Sequence, residues 1–188
     1  MNAFEHVIVL LSFVYALALT QVLSRVGALI EARERVRFSW LAAGATMIAV
    51  MLVFINWISL WDLRSAAHWG MVAVAVQFCF ALVIYGECYV STPAAPEDGV
   101  IDMEAHYQRQ RVPFYGLGLL SMVLATAGNA QFLDTARPEL FLNESLPQLP
   151  VAAPMVIALA VRRRWVHALC IAAMLCAGLF FLSGMTLK

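Results

Sequence analysis

Apolar positions in this chain come as long unbroken runs, not as the strict alternation of a half-buried strand or the one-sided stripe of a soluble helix. Val7 to Ser24 holds 18 residues without a formal charge, Phe38 to Trp61 holds 24, Trp69 to Gly86 holds 18, Val112 to Leu133 holds 22 and Trp165 to Leu187 holds 23. A helix of about 20 residues crosses the ~30 Å hydrocarbon layer. A further run, Ser145 to Val161, is uncharged over 17 residues but contains Pro147, Pro150 and Pro154. Proline lacks the N–H and crowds the preceding turn. This segment therefore crosses only if its prolines occupy the first turns and the arginines behind it snorkel; a kinked or re-entrant segment is the alternative. The pattern predicts an all-α polytopic transmembrane bundle of about six spans, forming one domain over 1–188, at about 5–29, 39–61, 69–91, 112–133, 147–163 and 165–187.

Small and polar residues inside the first run recur every fourth position: Ser12, Ala16, Thr20, Ser24 and Ala28. In lipid, helices associate by close packing and hydrogen bonds, which small residues permit. The stripe predicts that the first helix is the packing spine of the bundle. Ala168, Ala172 and Cys176 repeat the spacing in the last run. Trp40, Trp57 and Trp61 bracket the second run as interfacial anchors. Between the third and fourth runs, Pro93, Pro96 and Gly99 break the chain. Asp102 then caps a short helix with Met103, Tyr107 and Gln110 on one side and Glu104, Gln108 and Arg111 on the other. Pro113 is expected to kink its junction with the fourth span.

Composition agrees with the runs. The chain is 63% hydrophobic and 13% charged, against about 45–50% and about 25% for soluble domains. Twelve Lys and Arg balance twelve Asp and Glu, which excludes a nucleic-acid binder driven by bulk charge. Cys79, Cys88, Cys170 and Cys176 form no C-x-x-C pair and read as buried small residues. Asn2 to His6 carries no basic residue, so the first run reads as an uncleaved helix and not a secretory signal. With six spans, nine arginines (Arg25, Arg33, Arg35, Arg37, Arg109, Arg111, Arg162, Arg163 and Arg164) fall on one side, and Arg64, Arg137 and Lys188 on the other. Positive residues mark the cytoplasmic side, so both termini are expected outside. No internal repeat is found.

The stretch Asp102-Met103-Glu104-Ala105-His106-Tyr107-Gln108-Arg109-Gln110-Arg111-Val112-Pro113-Phe114-Tyr115 resembles the D-L-x-x-H-Y-x-x-x-R-x-x-F-F signature of a family of small bacterial multi-pass inner-membrane proteins to which no activity is attached. Phe4-Glu5 before a run with Ser12 and Thr20 is similar to the opening of that family, as is the turn Arg33 to Arg37 before a Trp-rich second span. The resemblance covers about the first two-thirds of the chain and implies a bacterial inner membrane. Met103 and Tyr115 stand where the family has Leu and Phe, and Pro113 where it has no proline.

Candidate chemistry is sparse. An ion pathway needs ionisable groups near the midplane. Arg25 and Glu87 fall instead near the cytoplasmic boundary, at similar depth, and are candidates to pair there. Gln77, Thr46 and Ser121 approach the centre and would line a neutral pore. His6, His68, His106 and His167 lie at span ends, two on each side, and are the candidates for haem ligation. Asp102, Glu104 and His106 do not share a helix face and make a poor metal set. Arg109, Arg111, Arg162, Arg163 and Arg164 are candidates to hold acidic lipid headgroups. Glu104, His106 and His167 are the local acid–base candidates, yet no spacing sets a nucleophile beside a base. The reading is therefore an accessory or scaffold subunit of a membrane complex that works by helix packing. It is not expected to be an enzyme, no cofactor is required, and its partners are lipid and other membrane chains or itself. A small pore and a haem- or pigment-carrying subunit are the alternatives.

Overall fold

In a computed structural model, which describes residues 3–65, 69–96, 98–131 and 148–184, the described residues form an all-α bundle of six helices. The helices are α1 (Ala3–Glu31), α2 (Trp40–Ser59), α3 (Met71–Ser91), α4 (Met103–Ala130), α5 (Leu149–Ala160) and α6 (Arg164–Gly184). Five of them are long and apolar enough to cross a membrane, and α5 is shorter. Its 12 residues reach about 18 Å. Pro150 sits in its first turn and Pro154 inside it. Residues 132–147, Arg137 among them, and His68 and Lys188 lie outside the described residues.

Facing residues fix the direction of each helix. Phe4 meets Trp69 and Arg25 meets Tyr89, so α1 and α3 run parallel. Cys88 donates to the Ala49 carbonyl and Thr46 to that of Ser91, so α2 and α3 are antiparallel. Gln77 faces Gly128 and Glu87 faces Gly118 across the antiparallel α3–α4 seam. Thr126 donates to Gln148, and Met155 covers Gly118, so α5 runs back along α4. Ile171 sits on Gly44 and Met51 on Gly178, which makes α2 and α6 parallel. The helices thus alternate in direction, and α1 begins on the side where α6 ends.

The helix at the centre is α2. It packs against α1, α3, α4 and α6, and its buried positions include Ala42, Ala45 and Ala49. That corrects the expectation for α1. The buried face of α1 is Phe4, Val7, Leu11, Tyr15, Ala18, Val22 and Leu29, whereas Ala16, Thr20 and Ser24 face outward and Ser12 and Ala28 are half-buried. The geometry explains the reversal. Residues four apart advance about 40° beyond a full turn, so a strict four-residue stripe winds around the helix. The mixed three- and four-residue spacing of the large residues stays on one side. Ala168, Ala172 and Cys176 of α6 also face outward.

Two other expectations change. Helix α4 is continuous through Pro113, so the capping helix and the fourth span are one element. Val36–Arg37 and Ile101–Asp102 form a two-residue parallel ladder, β1 with β2, which ties the first connection to the start of α4. Of the cysteines, Cys88 and Cys170 are buried, but Cys79 and Cys176 are exposed on outward faces.

Candidate functional site

Polar side chains gather at the arginine-rich end of the bundle, where α4 overshoots its neighbours. The α3–α4 register places Ser91, the last residue of α3, opposite Phe114, so Met103 to Pro113 extends beyond it. Asp102 caps this extension as expected, accepting from the Ala105 N–H at 2.9 Å. Its buried face is Met103, Tyr107, Arg111, Phe114 and Tyr115. Arg111 thus sits on the buried side, not with Glu104 and Gln108.

Arg111 is buried because it has a helix end to serve. Its guanidinium donates to the Val161 carbonyl at 3.2 Å, at the C-terminus of α5. Arg25 does the same for α3, donating to the carbonyls of Tyr89 at 2.6 Å and Thr92 at 2.7 Å, with its guanidinium over the Tyr89 ring. His106 Nε2 lies 3.0 Å from the Val90 carbonyl. The last carbonyls of a helix lack intrahelical partners and carry the negative end of its dipole. Cations and N–H donors from neighbouring helices therefore satisfy both ends.

Beneath these caps, the Tyr107 hydroxyl bonds the Tyr115 hydroxyl at 2.9 Å and His167 Nδ1 at 2.8 Å. Tyr115 and His167 have no exposed surface. On the rim, Glu104 accepts from Ser39, the residue preceding α2, and from Gln108 at 3.2 Å, and pairs with Arg164 of α6 at 3.4 Å. A single carboxylate therefore ties the starts of α2, α4 and α6. The resemblance segment is the structural hub of this end: Asp102, Met103, His106, Tyr107, Arg111, Phe114 and Tyr115 each cap, clamp or fill it.

Glu87 stands apart. The expected Arg25–Glu87 pair is not made, because Arg25 is committed to the α3 carbonyls. Glu87 is completely buried, and neither of its carboxyl oxygens has a hydrogen-bond partner among the described residues. It lies against the glycine gap at Gly118: a Cβ there would fall 3.1 Å from Glu87 Oε1 and 2.9 Å from Met155 Cε. Sequence depth alone put Glu87 at the boundary. The structure seats it one turn inside the end of α3, walled by α4 and α5.

The remaining candidates separate. Arg109, Arg162 and Arg163 are exposed and stay available to headgroups, as does Arg164 outside its Glu104 contact; Arg111 is not, being buried at α5. Thr46 lies at the arginine-rich end with Ser91 and Thr92, Gln77 faces Gly128 fourteen residues from Ser91 along α3, and Ser121 donates to the Gly118 carbonyl. These residues do not share a lining. His6 is on an exposed face of α1 at the opposite end from His106 and His167, whose ring nitrogens face Val90 and Tyr107. No group of three or more His, Cys, Asp or Glu among the described residues is arranged to hold a metal ion.

Compared with protein-family models, curated proteins and solved structures, the chain matches none. Helix length and hydropathy carry the broad assignment. It is a multi-pass helical membrane protein.

Proposed function

We propose that the chain is a non-catalytic accessory or scaffold subunit of a membrane complex, acting through helix packing. The observation that carries this reading is the outward turn of Ala16, Thr20 and Ser24 on α1 and of Ala168, Ala172 and Cys176 on α6. Lipid fills the space beside a large side chain as well as beside a small one, so the chain's own fold does not need small residues there. A neighbouring helix does, because small residues let backbones approach closely. The inward polar groups support the same reading: those at the arginine-rich end cap helices and clamp elements together. The proposal extends to place. The motif around Asp102 to Tyr115 favours a bacterial inner membrane, with the arginine-rich end in the cytoplasm.

Cross-linking and mild-detergent purification test it. The native chain is expected to bring down other membrane chains or itself. Thr20→Leu with Ser24→Leu, or Ala172→Leu, should abolish that capture while leaving the thermal midpoint of the chain unchanged. Capture that survives both changes, or a chain that stays single in native membranes, overturns the proposal.

A further inference from the structure

The seat of Glu87 holds a carboxyl that the packing of the bundle does not use. The side chain has no exposed surface, and neither oxygen has a hydrogen-bond partner among the described residues. The cations and rings at this end are committed elsewhere. Arg25 serves the Tyr89 and Thr92 carbonyls, Arg111 serves that of Val161, His106 meets the Val90 carbonyl and His167 the Tyr107 hydroxyl. Cys88, beside Glu87 on α3, turns its thiol to the Ala49 carbonyl. Ser91, one turn along α3, and Ser121, one turn from Gly118 on α4, donate to the Cys88 and Gly118 carbonyls. From α5 comes Met155, itself fully buried, which converges with Glu87 on Gly118.

We infer that Glu87 is a proton-binding site, neutral while α5 is seated on α4, and that loss of the proton unseats α5. A carboxylate stripped of both water and partners is very costly, and such a group takes up a proton instead. A hard metal ion needs several oxygen ligands. The Met155 thioether supplies none, whereas a proton needs only the carboxyl itself. Once ionised, the group must be hydrated, and water enters by displacing a wall. Helix α5 is the wall that gives, because it has 12 residues against 21 in α3 and 28 in α4. The site does not involve the outward faces of α1 and α6 proposed for partner contact.

Infrared spectroscopy of the full chain in detergent, titrated from neutral to alkaline pH, tests this together with a pair of spin labels. At neutral pH the wild type is expected to show the carbonyl stretch of a protonated carboxylic acid, and Glu87→Gln and Glu87→Leu to lack it. The labels are attached through Val123→Cys on α4 and Val156→Cys on α5, both exposed. Cys79→Ala and Cys176→Ala remove the exposed thiols, and the buried Cys88 and Cys170 stay. With Glu87 present, the label separation should lengthen over the pH interval in which the acid band is lost. In either Glu87 variant it should hold. Absence of the band from the wild type at neutral pH overturns the inference, as does a band that persists until the chain unfolds. So does a separation that stays fixed while the band disappears, or one that lengthens equally in the Glu87 variants. Partner capture by the Thr20 and Ser24 variants is a separate readout, so failure of the packing role leaves this result standing.

Discussion

At the scale of single residues, two buried polar side chains do opposite work. Arg111 meets the Val161 carbonyl; the Glu87 oxygens have no hydrogen-bond partner among the described residues. Removing a partner from a buried polar group leaves the other unsatisfied, at about 1–3 kcal/mol. Arg111→Met should therefore lower stability by about that amount, because it orphans the end of α5 and opens the wall beside Tyr107. Arg109→Met, on the exposed side of the same helix, should change it by no more than about 0.5 kcal/mol. Glu87→Leu breaks no hydrogen bond and removes a polar group from an apolar seam, so it should leave the thermal midpoint unchanged or raise it. Thermal unfolding of the three variants in one detergent reads both expectations. A Glu87→Leu variant destabilised by ~2 kcal/mol or more would show that the carboxyl has a partner.

At the scale of elements, the seam between α2 and α6 rests on reciprocal insertion. Ile171 of α6 occupies the space above Gly44, and Met51 of α2 occupies that above Gly178. The two contacts lie seven residues apart on both helices, which is two turns, so the parallel pair repeats one contact geometry. Because lipid supplies no hydrophobic drive between helices, such close contacts hold α6 in place. Overpacking typically costs about 1–3 kcal/mol; Gly178→Leu should fall in that range, and Met51→Ala in the same chain should recover part of it. The coupling is read from a double-mutant cycle on thermal or denaturant unfolding. Additive effects would place Met51 elsewhere. Hydrophobic runs made the elements legible: α1, α2 and α3 begin and end within about two residues of the expected spans. Which face of each turns inward was less legible. Both faces of a span are apolar, so the usual polar–apolar contrast is missing. In α1 the three- and four-residue spacing of Phe4, Val7, Leu11, Tyr15, Ala18 and Val22 carried the answer, and the four-residue stripe beside it pointed the other way. Glu104, Arg111 and Tyr107 were visible as residues, but their roles depend on helix ends far off in sequence, such as Val161 and Ser39.

At the scale of the molecule, direction is the property that most constrains what the chain can do. Charge counting alone leaves one ambiguity: a fifth segment that only dips into the bilayer would send the last helix the other way. The packing removes it for the described residues. Helix α6 runs parallel to α2 through Gly44 with Ile171 and Met51 with Gly178, so a bilayer that contains α2 is entered by α6 from the same side, however far α5 reaches. Helix α5 is short because its prolines delay its start, and the Arg111 cap at Val161 fixes where it stops. The return from α5 to α6 therefore lies at the arginine-rich end, and Gly184 lies with Arg64 at the other. In a cysteine-free chain, Arg64→Cys and Gly184→Cys should react with an impermeant thiol reagent added to intact spheroplasts. Arg163→Cys should react only after the membrane is opened. Labelling at 163 but not at 64 or 184 would invert the molecule without disturbing its fold. Labelling that splits 64 from 184 would break the parallel pairing of α2 with α6, and with it the six-helix alternation on which the outward faces of α1 and α6 depend.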